Sequence, residues 1–257
     1  MLGNTSENYE GQFFITSVKY EGGKRQETRE WIPRTVYNDT HMGYAVCIGN
    51  GESRKNFNVN LLKNHRGGLL GSMACQTYGC NALYRNFRPD FLLGLGKDIC
   101  EELANNTEYY DKPYSEDGIV YSSAERCLEH PGKFHLIPHN VRMNAGSLAL
   151  YLAAFDNHKN IYMIGYEGQH GGEGYNNNLY AGTPGYAPKT HTGNSEKWER
   201  NMCKVFSAYP EISFTIVDNN INGYPGDYNW YKNVRKITYA DFISELDLGS
   251  FNHRPTD

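Results

Sequence analysis

The stretch from Tyr44 to Arg54, Tyr-Ala-Val-Cys-Ile-Gly-Asn-Gly-Glu-Ser-Arg, holds residue types and a spacing suited to gripping a phosphate. An apolar run ends at Ile48, Gly49-Asn50-Gly51 follows, and Ser53 stands where a helix N-cap would be. Glycine lets the backbone turn sharply and approach a ligand closely. Free N–H groups at a helix start, aligned with the positive end of its dipole, attract an anion. The same grammar also serves an ordinary strand-to-helix turn that simply needs glycine. The lysine and Ser/Thr of a P-loop are absent, and Arg54 takes the place of a dinucleotide fingerprint's third glycine. Glu52 brings negative charge to the loop unless Arg54 pairs with it.

Other chemistries have less to stand on. His135 and His139 would share a face on a strand, but Pro138 between them bars a common helical face. His130 and His170 complete no set of three convergent ligands, so no metal is expected. Asp218-Asn219-Asn220 suits either Mg²⁺ at a strand end or a turn. No G-x-S-x-G elbow occurs, and no cysteine stands beside an evident base.

These residues need a scaffold, and the chain has length for one. Its 257 residues suffice for a single α/β domain with a real core. Strand patterns at Tyr44–Ile48, Phe91–Leu95, Lys133–Ile137, Ile161–Ile164 and Ser213–Val217 alternate with helical patterns near 53–63, 78–86, 97–105, 145–156, 195–208 and 239–246. That alternation predicts a Rossmann-like, mostly parallel sheet with helices on both faces. Ligands in such sheets sit beyond the carboxyl ends of the strands. The rim then gathers the Gly49–Ser53 loop, the segment after Ile137, Gly165–Glu167 and Asp218–Asn220. A long Gly/Asn/Tyr-rich loop over 165–193 fits a lid or binding loop. Ahead of the domain at 44–257, residues 1–43 read as an extension: a polar, frayed stretch over 1–10, then a β-hairpin of Phe13–Tyr20 and Glu27–Ile32 around Glu21-Gly-Gly-Lys24.

Composition narrows the partners. A net charge of −4 gives no basic footprint for nucleic acid, leaving only local patches such as Lys24-Arg25 or Arg85 with Arg88. The 21 tyrosines suit stacking on bases and sugars as well as partly buried packing. None of the six cysteines forms a C-x-x-C pair. With no leader and no apolar run long enough to span a membrane, a cytoplasmic protein is expected.

Several segments in this order resemble the small bacterial sialyltransferases of glycosyltransferase family 42, and related uncharacterised phage and bacterial proteins. The family's Gly-Asn-Gly-Pro-Ser is similar to Gly49-Asn50-Gly51-Glu52-Ser53, with glutamate for proline. A strand ending near Cys-Asn with aromatics following is matched by Cys80-Asn81-Ala-Leu-Tyr84. A Ser-Gly helix start and a strand ending Gly-Ile-Asp find counterparts in Ala145-Gly146 and Gly165-Tyr166-Glu167. The resemblance spans residues 44–220.

It implies a CMP-type sugar nucleotide as donor substrate, no tightly bound cofactor, and metal-independent transfer with inversion to an acceptor that the sequence does not name. Oligomeric state is equally unnamed. His191 takes the position of the family's base, since a near-neutral imidazole can accept a hydroxyl proton. Tyr175 is the phosphate-contacting tyrosine, with Tyr180 or Tyr186 as fallbacks. Gly49, Asn50, Gly51 and Ser53 would cradle phosphate or ribose, and Asn81 would hold base or ribose. Ala145, Gly146 and Ser147 would add contacts at a second helix N-terminus, and Glu167 would accept from a ribose hydroxyl. Two alternatives keep this core: ATP/Mg²⁺-dependent phosphate or pyrophosphate transfer, and a non-catalytic nucleotide-binding accessory protein.

Overall fold

A computed structural model describes residues 4–7, 13–32, 43–63, 75–167, 177–188, 195–220 and 226–248. Backbone hydrogen bonds sort its strands into two sheets. The first is an antiparallel meander of β1 (Asn4–Glu7), β2 (Phe13–Glu21) and β3 (Lys24–Ile32). Gly22 and Gly23, at φ +58 and +77, make the two-residue turn between β2 and β3. Positive φ at both positions matches the right-handed twist of the strands it joins. The expected hairpin is thus present. Within the polar start expected to fray, Asn4–Glu7 form β1, which pairs with β2 in register Asn4–Thr16 to Glu7–Phe13. A backbone ladder forms whatever the polarity of the side chains it carries.

The second sheet has eight strands, all parallel. They are β4 (Tyr44–Ile48), β5 (Cys75–Cys80), β6 (Phe91–Leu93), β7 (Ile119–Ser122), β8 (His135–Leu136), β9 (Asn160–Ile164), β10 (Ser213–Val217) and β11 (Val234–Ile237). Their spatial order is β11-β10-β9-β4-β5-β6-β7-β8. The helices are α1 (Lys97–Asn105), α2 (Tyr114–Asp117), α3 (Ala124–Glu129), α4 (Ala145–Phe155), α5 (Ser195–Ala208) and α6 (Tyr239–Glu245).

A parallel sheet must be covered on both faces, and the alternation along β4 shows how. Ala45 and Cys47 face Leu148 and Leu152 of α4 and Met202 and Phe206 of α5. Val46 and Ile48 join Ile99 and Leu103 of α1, Cys127 of α3 and Phe242 of α6. Every residue from Ala45 to Ile48 is fully buried. The aromatic wealth of the chain lies largely here: Tyr78, Tyr84, Tyr114, Tyr121, Tyr166 and Tyr228 are among the largest fully buried side chains.

Two predicted helices are replaced. Residues 53–63 form short 3₁₀ turns, Glu52–Arg54 and 59–63, and 78–86 divides into the end of β5 and a 3₁₀ turn Asn81–Arg85. Over 78–80 the sheet ladder of β5 outweighs the local helical pattern. β5 matches the strand that the family resemblance implied. Strands β7 and β11 and helices α2 and α3 are additions that the sequence pattern did not reveal.

The central pair β4 and β9 continues its contact past the strand ends. Gly49 N–H donates to Ile164 O at 2.8 Å, and Gly51 N–H to Gly165 O at 3.0 Å. Gly165 sits at φ +70, and a Cβ there would lie 2.8 Å from Gly49 O. Gly165→Ala should therefore destabilise the protein by about 1–3 kcal/mol, read from urea unfolding midpoints. An unchanged midpoint would show that the two strand ends can spread.

Candidate functional site

Strand order reverses between β4 and β9: the chain moves outward from β4 to β8, returns beside β4 as β9, and moves outward again. At such a switch point the loops leave in opposite directions and open a crevice at the carboxyl ends. The Gly49–Arg54 loop forms one lip and Gly165–Glu167 the other.

The donors of the first lip are engaged by protein. Besides the two glycine bonds, Glu52 N–H reaches Asn177 Oδ1 at 3.2 Å and Ser53 N–H reaches Glu167 Oε1 at 2.6 Å. The Ser53 hydroxyl bonds the second Glu167 oxygen, and Asn177 Nδ2 donates to Oε1 at 3.1 Å. A carboxylate thus lies where the motif alone would place a phosphate. A Cβ at Gly51 would strike Glu167 Oε2 at 2.3 Å, so this glycine serves the close approach of the carboxylate. Glu167 is buried, and burial pushes its pKa above the ordinary value, with the Asp218 charge adding to the shift and Ser53 hydrogen bonds opposing it.

Arg54 turns inward and is 6% exposed. Its Nε donates to Gly49 O, and its Nη2 lies 3.4 Å from both Asn50 Oδ1 and the Tyr180 hydroxyl. Asn50 Nδ2 donates to Cys80 O at 3.1 Å and to the Tyr186 hydroxyl at 3.4 Å, which also accepts from Ala82 N–H at 3.3 Å. Tyr180 and Tyr186 stand 5.9 Å apart, ring to ring. Burial raises both phenols, so each is protonated at neutral pH and able to donate. Asn81, at φ +48, accepts from Leu95 N–H through Oδ1 at 3.2 Å.

Residues 177–188 lie across this rim. Leu179 N–H bonds Asn50 O at 2.8 Å. At the other end Arg85, paired with Glu102, donates to Thr183 Oγ1 and Pro184 O at 2.9 Å each. Arg85 is therefore a clamp, and Arg88 bonds Asp117, so neither makes the basic patch that their proximity in sequence suggested.

The third wall is the start of α4. Asn144 caps it, its Oδ1 accepting from Ser147 N–H at 2.9 Å. Sequence reasoning missed Asn144, although Asn two residues before Gly146 and just ahead of an apolar run is an N-cap signal. The Tyr166 hydroxyl donates to Gly146 O at 2.9 Å, and Trp198 Nε1 would lie 3.7 Å from a Cβ on Gly146. Ala145 and Ser147 are buried. Asn144 Nδ2 and Ser147 Oγ are buried atoms with no hydrogen-bond partner among the described residues.

The structure thus brings Gly49, Asn50, Gly51, Ser53, Glu167 and Tyr180 together and sets Ala145–Ser147 on the neighbouring helix start. His191 and Tyr175 lie outside the described residues. Among those described, no group of three His, Cys, Asp or Glu side chains is placed to hold a metal. Asn220 N–H bonds Asp218 Oδ1 at 2.9 Å and Asn219 Oδ1 accepts from Tyr239 N–H at 3.3 Å, which is turn and capping work. No described helix is long and apolar enough to cross a membrane.

No protein-family model matches this chain, and no curated protein does. Two solved structures are similar to it. One is the sialyltransferase CstII from Campylobacter jejuni in complex with the substrate analogue cytidine-5'-monophosphate, at 13% identity and a TM-score of 0.43, covering 70% of this chain and 81% of that one. The other is an asparagine-to-alanine variant of the sialyltransferase CST-II in complex with CMP, at 13% identity and a TM-score of 0.45, covering 80% of this chain and 98% of that one.

Glu167 gives the site a pH signature. Its proton is held more tightly in the folded protein, so its contribution to stability is greatest below the unfolded pKa and is lost as pH rises through the folded one. Glu167→Gln keeps the acceptor for Ser53 N–H and removes the titration. Its Tm should gain on the wild type as pH rises above about 4.5, the ordinary glutamate value. A difference in Tm that stays constant from pH 4 to 8 would refute the assignment.

Proposed function

We propose that this chain binds a nucleotide in the crevice at the carboxyl ends of β4 and β9. We further propose that it transfers a glycosyl group from a CMP-type sugar nucleotide to an acceptor hydroxyl without a metal. The observation that carries the first part is the reversal of strand order, with the α4 N-terminus beside it holding Asn144 Nδ2 and Ser147 Oγ without partners among the described residues. The donor class and the reaction follow from the sequence resemblance.

In this reading Asn50 and Asn81 contact ribose or base, and the helix start at Ala145, Gly146 and Ser147 adds backbone and hydroxyl contacts to the nucleotide. The Gly49–Ser53 loop contributes shape more than donors, because most of its N–H groups already bond protein oxygens. Glu167 holds that loop through Ser53 in place of a ribose hydroxyl. His191 removes the acceptor proton as the new glycosidic bond forms and the bond from sugar to phosphate breaks, with inversion at the sugar carbon. Tyr175 and Tyr180 hydrogen-bond the departing CMP phosphate, and burial keeps the Tyr180 phenol protonated for that role.

CMP at about 100 times its Kd should stabilise the protein by about 2.7 kcal/mol, a rise of a few degrees in Tm that EDTA does not remove. His191→Ala should then lower turnover of the sugar nucleotide by about 10²–10⁴-fold. A response confined to ATP with Mg²⁺ would replace this reaction with phosphoryl transfer. CMP binding with no turnover of any CMP-sugar would leave a binding protein.

A further inference from the structure

Among the described residues the partners of the buried Arg54 cation are all neutral. Three of its five N–H donors meet Gly49 O, Asn50 Oδ1 and the Tyr180 hydroxyl, the last two at the outer limit of hydrogen bonding, 3.4 Å. Among the described residues no carboxylate pairs with it, and the two donors of Nη1 meet no acceptor. The Glu167 carboxylate is taken by Ser53 and Asn177. A charge removed from water to this degree normally has a counter-charge, because neutral dipoles replace its hydration poorly.

The fold makes room for it deliberately. A Cβ on Gly165 would lie 3.0 Å from Arg54 Cδ and 3.1 Å from Cγ, so the absence of a side chain at the end of β9 lets the arginine stem pass. The guanidinium then stands 6.0 Å over the Tyr180 ring, at the switch point and under the 177–188 segment. A planar fork whose Nη1 donors are free and whose Nη2 contacts are long can take two oxygens of one phosphate by releasing one of those contacts.

We infer that Arg54 binds the phosphate of the nucleotide and makes the crevice selective for nucleotides over nucleosides; this rests on the nucleotide reading above. Arg54 lies outside the Gly-Asn-Gly motif proper and bonds Asn50 Oδ1, so it also orients the asparagine that faces Cys80 and Tyr186. Phosphate binding would exchange its long contacts for charge-assisted ones.

The test is calorimetric titration of the whole chain with CMP, cytidine and pyrophosphate, for wild type, Arg54→Met and Arg54→Lys. Wild type should bind CMP at least 10-fold more tightly than cytidine. Arg54→Met should remove about 10–100-fold of CMP affinity while shifting cytidine by less than about twofold, and Arg54→Lys should fall between. The ligand-free Tm of Arg54→Met should not fall, since the uncompensated charge leaves with the side chain. Equal affinity for CMP and cytidine in the wild type overturns the inference without recourse to a variant, as does an unchanged ratio in Arg54→Met. Binding of pyrophosphate that depends on Arg54, with no nucleotide bound, would uphold the phosphate site and reject the nucleotide reading. Absence of binding by all three probes would reject both.

Discussion

The closeness of β4 and β9 beyond their ends governs the rest of the molecule. Two glycines, Gly49 and Gly165, let backbone meet backbone where side chains would collide, and the sheet ladder runs on into the loops. The crevice expected at a switch point is therefore narrow at its root. Its first lip is braced from across the gap rather than left open as an array of unsatisfied amides. Glu167 is drawn in to meet Ser53, and Arg54 is turned under the loop, because both must occupy the small volume that the glycines leave.

Arg54 and Glu167 are both buried at the Gly49–Arg54 lip, and among the described residues they do not pair. Glu167 answers to hydroxyl, amide and backbone donors, and Arg54 answers to carbonyl, amide and phenol oxygens. An ion pair between them would be self-sufficient. Kept apart, each remains able to respond to something that arrives. No disulfide joins the six cysteines, and burial raises the Cys80 thiol, beside Arg54, to about 12.

Where local pattern and tertiary demand agree, the sequence was readable. Tyr44–Ile48, Ser213–Val217, Lys97–Asn105 and Ser195–Ala208 fall where apolar periodicity puts them. The parallel, doubly covered sheet follows from their alternation. Legibility failed where neighbours decide. β5 carries Gln76, Thr77 and Tyr78 toward buried polar partners, with Thr77 bonding Asp90 and Tyr78 bonding Asp156 and His158, so its strand character lacks the usual apolar signature. Within the site, Gly49 and Gly51 were recognised as places of close approach, but their sequence does not say whether a ligand or another loop approaches. Asn144 was legible as a cap and was overlooked, whereas the inward turn of Arg54 depends on Tyr180, a partner remote in the chain.

Strand order also dictates a schedule for folding. As the chain leaves the ribosome, β4 can pair with β5 along one side, while its other edge waits for β9, which follows only after β8 and α4. Until then an apolar strand carries an open row of amide and carbonyl groups, the kind of edge that recruits foreign strands. The pairing that completes the crevice is thus among the most distant in sequence, and loop closure makes such contacts slow to form. Nascent chains halted between β8 and β9 should be the form most in need of a chaperone.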